Sequence, residues 1–324
     1  MKDMINIGFI GCGGMARVHM QSLNEVATGR VVAVCDFVNE LAGEAAELTG
    51  GEPYTDHRKM LQRDDLDAVY VNIPVFAHGE PELTVIDRGL PFFVEKPVAR
   101  TRGLANQILG KLQQKNLLAV VGYQLRHGGG AVAAKRVLQG QTVAMVVGQY
   151  WSGTGRGDPE AWPRQYEKSG GQILEQATHT LDMMRYLCGE VTEVVTRRAN
   201  IELKNIDCPD VHTVLLTFES GAVGSMSTTW AYDPADWSHA NILYITFADR
   251  MLRWTTDAIT LFGGGQPAEQ LSDEGGNIDE IFIEAVRTGD RSHVLTSYED
   301  AVKSLDLCLA INESGESGQP VKLA

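Results

Sequence analysis

The chain has 324 residues, of which 44% are hydrophobic and 22% are charged, and its formal net charge at pH 7 is −14. This length exceeds the usual size of a single hydrophobic core, so we expect two domains in a globular protein without extended disorder. The acidic charge and the lack of a basic run argue against binding to nucleic acid or to an anionic membrane, because both depend on clustered Lys and Arg.

The N-terminal segment and the cysteines bear on location and on metal binding. The apolar run at residues 4–10 is short and is followed by Gly11, so it predicts a first strand and not a signal peptide. No stretch is long enough to span a bilayer. The five cysteines lack Cys-x-x-Cys spacing, and the eight histidines include no His-x-x-x-His pair. We therefore expect a cytoplasmic protein with neither a disulfide framework nor a metal site.

Strand-like and helix-like segments alternate from residue 4 to about residue 123. The predicted strands span residues 5–10, 31–35, 68–73, 92–94 and 118–122. The predicted helices between them span residues 15–28, 39–48, 78–88 and 101–115. This alternation is typical of an α/β domain with a doubly wound parallel sheet and helices on both faces, which we predict for residues 1–124.

Longer strand-like runs follow, joined by hairpin turns at residues 219–221 and 249–250. A helix predicted over residues 172–187 interrupts these runs, and a later helix starts after Ser297, with Asp300 as its capping partner. Strands that meet at hairpins indicate an antiparallel or mixed sheet. Residues 125–324 are therefore predicted to form a second, α+β domain, whose terminal helices can pack back on the first domain.

A glycine-rich loop directly follows the first predicted strand and opens the first predicted helix. It matches G-x-G-x-x-A and consists of Gly11, Cys12, Gly13, Gly14, Met15 and Ala16. Its glycines permit a tight turn and let the backbone approach a pyrophosphate, which the helix N-terminus attracts. A packing turn is the alternative. The second strand, however, ends in Asp36, where a ribose-binding carboxylate belongs, and the combination predicts a dinucleotide site.

Asp36 also bears on the choice of cofactor. A 2′-phosphate would lie close to this carboxylate, and two charges about 4 Å apart repel by about 4 kcal/mol at an effective dielectric near 20. The next residue is Phe37, and no neighbouring Arg is present to receive a phosphate. We therefore predict that NAD is preferred to NADP.

The stretch PFFVEKPVAR places two charges, Glu95 and Lys96, at the end of an apolar strand that Pro97 stops. A surface ion pair is the simple explanation. In an open parallel sheet, however, ligands bind at the carboxyl ends of the strands, so these charges are expected to face the cofactor crevice. The sequence leaves the isomer of the Lys96-Pro97 bond open.

These motifs resemble the Gfo/Idh/MocA family, named for glucose-fructose oxidoreductase and inositol dehydrogenase. The similar segments are the glycine loop, NIPVFAH, EKP, GYQLRH, GGQILEQATHTLD and the C-terminal SYEDAVKSLDLCLAINESGESGQPV, so the resemblance covers nearly the whole chain. It implies an N-terminal Rossmann domain and a C-terminal domain with a large, mostly antiparallel sheet. Besides the loop, Asp36 and Phe37, the implied cofactor contacts are Asn72, Ile73, Pro74, His78, Glu95, Lys96 and Gln124.

Three ionisable residues lie four and three positions apart in the predicted helix: Glu175, His179 and Asp182. In an α-helix this spacing puts them on one face. A solvated Glu-His pair is the alternative. The resemblance implies instead that His179 and Lys96 meet the substrate carbinol, with Glu175 standing where the family often has Asp. Either His179 or Lys96 can then be the base.

The resemblance also implies residues that contact substrate hydroxyls. These are Arg126 and Asp182, with Gln176 close by. Trp151 and Trp162 bracket a loop suited to a sugar-facing lid, and core or interface packing is the alternative for both tryptophans. Trp162 is predicted as a substrate contact.

The function predicted from the sequence is an NAD-dependent dehydrogenase that oxidises a ring hydroxyl of a sugar, a sugar derivative or a cyclitol. Its partner would be a small polyol or sugar, and an exposed sheet face predicts a homo-oligomer, a dimer or a tetramer. Two alternatives stay open. One is a non-catalytic, dinucleotide-binding regulatory protein, and the other is a glycoside-cleaving enzyme that uses bound NAD for transient oxidation.

Overall fold

A computed structural model of the chain describes residues 2–232 and 240–323. The chain divides into two compact units. Unit 1 consists of Met1–Gly122 and Asn277–Val302, and unit 2 consists of Tyr123–Gly276 and Lys303–Ala324. Residues 277–302 thus join the N-terminal part of the chain, although they follow unit 2 in sequence. The predicted roles of the ranges 1–124 and 125–324 stay predictions.

The described residues form strands and α-helices along the whole chain. The strands are β1 Ile5–Ile10, β2 Gly29–Cys35, β3 Glu52–Tyr54, β4 Ala68–Val71, β5 Phe92–Val94, β6 Ala119–Val121, β7 Val143–Trp151, β8 Val191–Ala199, β9 Val211–Phe218, β10 Val223–Thr229, β11 Asn241–Phe247, β12 Arg250–Trp254, β13 Ile259–Gly263, β14 Gln266–Leu271 and β15 Val321–Lys322. The α-helices are α1 Gly14–Leu23, α2 Asn39–Thr49, α3 His57–Met60, α4 Glu80–Asp87, α5 Arg102–Lys115, α6 Gly129–Leu138, α7 Tyr166–Ser169, α8 Thr178–Cys188, α9 Ile278–Thr288 and α10 Tyr298–Ser317.

Unit 1 is built on a six-stranded sheet in the order β3-β2-β1-β4-β5-β6, with every neighbouring pair parallel. Strands β4, β5 and β6 are buried throughout, as expected for apolar strands covered on both faces. This arrangement confirms the predicted doubly wound α/β fold. Strand β3 was not predicted, because its sequence, EPY, has no apolar run and its residues are largely exposed.

An aromatic stack fills the centre of unit 1. The ring of Tyr70 lies between Phe9 and Phe93, at centroid distances of 4.6 Å and 4.9 Å. Phe282 of α9 packs edge-on against Tyr70 at 5.4 Å and against Phe93 at 5.9 Å. The core of this unit therefore needs a side chain from the C-terminal part of the sequence.

Unit 2 contains a nine-stranded sheet in the order β14-β13-β12-β11-β7-β10-β9-β8-β15. The pair of β7 and β10 is parallel, and the other neighbouring pairs are antiparallel. Both predicted hairpins form, between β9 and β10 and between β11 and β12. The prediction of a large, mostly antiparallel sheet is confirmed.

Helix α6 was missed by the sequence analysis, because its start is masked by glycines at positions 128–130. These glycines serve close packing: a Cβ on Gly129 would lie 2.3 Å from the Asp273 carbonyl oxygen, and a Cβ on Gly130 would lie 2.4 Å from that of Thr255. Only glycine permits this approach of two backbones.

The helix predicted over residues 172–187 also differs in detail. Residues Ile173–Ala177 form a π-helical turn, and α8 continues from Thr178 to Cys188. A π-helical turn bonds residue i to residue i+5, so α-helical spacing does not hold across it. Across the described residues, none of the helices is long and apolar enough to cross a membrane.

Candidate active site

The glycine loop joins β1 to α1 and has the geometry of a phosphate cradle. Gly11 has φ +91°, and a Cβ there would lie 2.2 Å from the Asn72 carbonyl oxygen, so only glycine fits. In contrast, a Cβ on Gly13 or Gly14 would meet no described atom within 4 Å. This open space, at the start of α1, leaves room for a pyrophosphate beside the N–H groups of the first helical turn.

Asp36 follows β2 and is bonded to the glycine loop. Its Oδ2 accepts a hydrogen bond from the Cys12 N–H at 2.9 Å, and its Oδ1 accepts one from the Val38 N–H at 2.9 Å. Each carboxylate oxygen has a second lone pair, so the group can also accept from a ribose hydroxyl. The adjacent Phe37 is 87% exposed, which is unusual for a phenyl ring and leaves its face open to a nucleobase of the cofactor.

Asn72 supplies a buried polar group next to this loop. It is 9% exposed, and neither its Oδ1 nor its Nδ2 has a hydrogen-bond partner among the described residues. Buried side-chain amides are normally paired, so this one fits a ligand atom. Ile73 and Pro74 follow it in the same loop. Taken together, the open glycines, Asp36 and Asn72 fit a dinucleotide.

His78 ends this loop with its side chain buried. Its Nδ1 is hydrogen-bonded to the Glu82 carboxylate, which also accepts a bond of 2.7 Å from the Gly79 N–H at the start of α4. The imidazole therefore contributes to the beginning of a helix. Its predicted contact with the cofactor stays a prediction.

Glu95 and Lys96 follow β5, but the two side chains differ in their surroundings. Glu95 is buried, with Oε1 3.0 Å from His19 Nε2, and its Oε2 accepts a bond of 3.1 Å from the Lys96 N–H. The Glu95 carboxylate thus contacts His19 and the Lys96 backbone within unit 1, and its predicted contact with the cofactor stays a prediction. Lys96 is half-buried, and the Lys96-Pro97 bond is cis.

In unit 2, Glu175 lies in the π-helical turn, and His179 lies in the first turn of α8. Tyr123 packs edge-on against the His179 ring at 6.0 Å and its hydroxyl lies 2.8 Å from Thr178 Oγ1. Burial and the nearby Glu175 carboxylate raise the pKa of Tyr150 to about 12. Glu175 and His179 are therefore flanked by tyrosines that stay neutral at physiological pH.

Asp182 is not flanked in this way, although its spacing predicted that it shares one helix face with Glu175 and His179. Asp182 is 1% exposed and forms a bidentate ion pair with Arg126. The Arg126 Nε donates to Asp182 Oδ2 at 2.8 Å, and the Arg126 Nη2 donates to Asp182 Oδ1 at 2.7 Å. Ser304 also donates to it at 2.6 Å. The pair anchors the segment at residues 124–127 to α8. The predicted substrate contacts of Asp182 and Arg126 stay predictions.

Gln176 is the centre of a second polar cluster. Its Oε1 accepts bonds from Ser152 Oγ at 3.1 Å and from Trp230 Nε1 at 2.8 Å, and its Nε2 donates to Thr154 Oγ1 at 2.8 Å. Three segments thus meet at one amide: the loop that follows β7, the residue that follows β10, and the π-helical turn that precedes α8. The predicted substrate contact of Gln176 stays a prediction.

The remaining predicted residues lie as follows. Trp162 is half-buried in a short 3₁₀ helix, and Gln124 is exposed at the start of another. Met15 is partly exposed on α1, while Ala16 is buried against the sheet. Trp151 packs edge-on against Tyr232 at 6.1 Å, which favours the packing alternative for this tryptophan.

The sequence analysis missed His19, which contacts Glu95 from α1. Its partners in unit 1 are 76 and 260 residues away in sequence. No local spacing connects such distant residues, so the histidine is inconspicuous on the buried face of an otherwise ordinary amphipathic helix.

The chain is similar to known proteins in sequence and in fold. A family model described as "Oxidoreductase family, NAD-binding Rossmann fold" matches residues 5–123, and one described as "GFO/IDH/MocA C-terminal domain" matches residues 132–246. The solved structure of levoglucosan dehydrogenase in complex with NADH and L-sorbose has a TM-score of 0.90 at 21% identity, over 100% of both chains.

Two curated relatives are similar over nearly their whole length. The chain is 26% identical to myo-inositol 2-dehydrogenase of Thermotoga maritima, over 98% of each chain. It is 24% identical to scyllo-inositol 2-dehydrogenase (NAD(+)) of Bacillus subtilis, over 100% of this chain and 97% of that one. With both domain models matched in order along the sequence, the chain belongs to the Gfo/Idh/MocA family of oxidoreductases.

Proposed function

We propose that this protein is an NAD-dependent dehydrogenase that oxidises a ring hydroxyl of a sugar, a sugar derivative or a cyclitol. The observation that carries the proposal is that an open glycine cradle with Asp36 occurs in a chain that keeps both Lys96 and His179 at the family's motif positions. The dehydrogenases of inositols and levoglucosan among the relatives support the substrate class.

The proposed chemistry divides between two side chains. Bound NAD⁺ would supply the acceptor for the hydride that leaves the carbinol carbon. His179 takes the proton of the hydroxyl, since imidazole is the side chain most often used as a general base near neutral pH. Lys96 donates a hydrogen bond to the same oxygen, and Glu175 orients His179. Lys96 as the base is the alternative within this proposal.

The cofactor preference rests on Asp36. Its carboxylate is fixed by two backbone N–H groups, so it cannot swing away from a 2′-phosphate without losing both bonds. A fixed negative charge disfavours NADP and favours the free ribose hydroxyls of NAD.

The test is a panel of cyclitols, anhydrosugars and sugars, incubated with NAD⁺ or with NADP⁺ while absorbance of the reduced cofactor is recorded. We expect turnover of at least one ring polyol with NAD⁺, and a loss of about 10²- to 10⁴-fold in kcat for Lys96→Met and for His179→Asn. Both variants should still bind NAD⁺ in calorimetry. Wild-type protein that binds NAD⁺ but oxidises no polyol would count against the proposal.

The same panel separates the two alternatives. A regulatory protein would bind NAD⁺ tightly, turn over no substrate and keep its properties in the Lys96→Met variant. A glycoside-cleaving enzyme would release an aglycone from glycosides without a net increase in NADH.

We further propose that unit 2 forms a homo-oligomer through one face of its sheet. Met145, Val147, Leu215 and Val223 are all exposed. The register pairs Val223 with Met145 and puts Leu215 and Val147 opposite Ser225, so the four side chains share one face of adjacent strands. An apolar patch of this kind normally has a partner, and a second copy of the chain fits a self-complementary sheet face.

The scattered cysteines support a cytoplasmic location.

A further inference from the structure

His19 lies between two buried carboxylates in the middle of unit 1. Its Nδ1 is 2.7 Å from Asp279 Oδ1, at the start of α9, and its Nε2 is 3.0 Å from Glu95 Oε1, after β5. All three residues are at most 6% exposed. An ionised carboxylate only accepts hydrogen bonds, so an imidazole that serves both must carry a proton on each nitrogen.

The surroundings of this imidazole stabilise its positive charge. Burial by itself lowers the pKa of His19, but the hydrogen bonds and charges of Asp279 and Glu95 outweigh it and raise the pKa to about 9. From β4, the Tyr70 hydroxyl donates to the same Asp279 oxygen at 3.0 Å. The ionisable groups seen to face His19 from the packed elements are therefore Glu95, Asp279 and Tyr70.

The network continues from His19 to the backbone of Lys96. With Oε1 held by the imidazole, Glu95 turns its Oε2 to the Lys96 N–H at 3.1 Å. Gly122 makes this possible, because a Cβ at that position would lie 2.5 Å from Glu95 Oε1. The peptide unit from which the Lys96 side chain starts is thus fixed through Glu95.

We propose that His19 is a positioning residue for the dehydrogenase, which holds Glu95 and, through it, the Lys96 backbone in the orientation that the reaction requires. This inference rests on the proposed function of Lys96. A buried ion pair that only stabilises unit 1 is the competing explanation. The two explanations differ in which half of the network matters for Lys96, the contact to Glu95 or the contact to Asp279.

Two amide substitutions separate the halves of the network. In His19→Gln the side-chain NH₂ group reaches the position of Nε2, so the contact to Glu95 is kept and that to Asp279 is lost. In His19→Asn the shorter side chain reaches only the position of Nδ1, so the contact to Glu95 is lost. Both variants remove the same ring and the same charge, so each is the matched control of the other.

The first measurement is independent of activity. In protein labelled with [¹⁵N]lysine, with the Lys96 signal assigned by its loss in Lys96→Arg, we measure exchange of the Lys96 amide proton. We expect exchange about tenfold faster in His19→Asn than in His19→Gln, since one hydrogen bond is worth about that factor. Equal exchange rates in the two variants would overturn the inference.

The second measurement is steady-state kinetics on the substrate found in the panel. We expect kcat of His19→Asn to be about 10- to 100-fold below that of His19→Gln, with KM for NAD⁺ within about threefold, because a small misplacement of a reacting group mainly lowers kcat. Equal kcat values, after correction for the folded fraction, would overturn the positioning role. If the wild-type protein oxidises no polyol, the proposed function fails, and amide exchange alone decides whether His19 holds Lys96.

Discussion

At the scale of single residues, Asp36 combines a structural and a binding contribution. Its two oxygens accept from the Cys12 and Val38 N–H groups, which joins the end of β2 to the glycine loop. A substitution that reports on the cofactor should therefore disturb these bonds as little as possible. Asparagine is the closest replacement, because its single side-chain oxygen still accepts one of them while the negative charge is removed.

We expect Asp36→Asn to reduce the preference for NAD. NAD⁺ should bind about tenfold more weakly, through loss of a charged hydrogen bond, and NADP⁺ should bind several-fold more tightly, because the repulsion is removed. Calorimetric titration with each cofactor measures both changes. Asp64→Asn, at a carboxylate that is fully exposed, is the control and should alter neither affinity. An unchanged ratio of the two affinities in Asp36→Asn would show that Asp36 does not select the cofactor.

The residue scale also shows which part of the site a sequence can reveal. The glycine loop and Asp36 follow the first two strands directly, so local order alone predicted both. The partners of His19 and Asp182 come from distant segments, and neither the buried imidazolium nor the Arg126-Asp182 pair leaves a local pattern. Nothing near Glu95 in sequence reveals that its carboxylate contacts a histidine.

At the scale of elements, the π-helical turn before α8 is fixed by Gln176. This one amide accepts from Ser152 and from the Trp230 indole and donates to Thr154. Ser152 and Trp230 are both buried, so their polar atoms cannot turn to water when the amide is removed. The conformation of the turn that bears Glu175 is therefore coupled to the loop that follows β7.

We expect Gln176→Ala to lower the free energy of unfolding by roughly 2 to 4 kcal/mol, because the buried Trp230 indole N–H loses its acceptor and the Ser152 and Thr154 hydroxyls each lose one hydrogen bond. Urea unfolding followed by tryptophan fluorescence measures this change. Gln113→Ala, on the exposed side of α5, is the control and should stay within about 0.5 kcal/mol of wild type. A loss for Gln176→Ala no larger than that of the control would contradict the role of Gln176 as a junction.

Elements with a strong local pattern were predictable, and those that depend on tertiary packing were not. Strands β1 and β5 match the predicted bounds because each is a short, mainly apolar segment that ends at a turn signal. Helix α6 was hidden by glycines that its packing requires, and β3 by a short polar sequence. The π-helical turn was read as α-helix, since its side chains have no distinctive order.

At the scale of the whole molecule, the exposed sheet face of unit 2 predicts the state of assembly. Leu215 lies on β9 within this face and is 57% exposed. We expect Leu215→Asp to reduce a dimer or tetramer to a monomer of 35.4 kDa, because a charge on an apolar interface stays unpaired when buried. Light scattering after size exclusion measures the mass. Ile201→Asp, at an exposed residue just after β8, is the control and should leave the mass unchanged. A wild-type monomer would contradict this prediction.

The pH dependence of stability should differ between the two units. His19 in unit 1 has a pKa raised from 6.5 to about 9, so its stabilisation is complete below pH 6.5 and is lost as the pH rises to about 9. Burial lowers the pKa of His212 in unit 2 from 6.5 to about 4. His212 therefore binds a proton more readily in the unfolded chain than in the folded one. As a result, the free energy of unfolding falls as the pH drops from 6.5 to 4.

We therefore expect the free energy of unfolding to be highest near neutral pH and to fall on both sides, with His19 contributing about 3 kcal/mol to the alkaline loss. Urea unfolding at about pH 5, 7 and 9 measures both limbs. His19→Gln should flatten the alkaline limb and leave the acid limb intact. An alkaline limb that is as steep in this variant as in wild type would show that His19 is not the group responsible.

The position of residues 277–302 in unit 1 has a consequence for synthesis of the protein. When the ribosome has released only residues 1–122, the nascent sheet still lacks Phe282 beside Tyr70 and Phe93, and His19 lacks one of its two carboxylates. Residues 1–122 therefore cannot complete their core until a segment that lies more than 150 residues later in the chain has been synthesised. We expect a truncated product that stops at residue 276 to be captured by chaperones or degraded, because the aromatic cluster around Tyr70 stays incompletely covered.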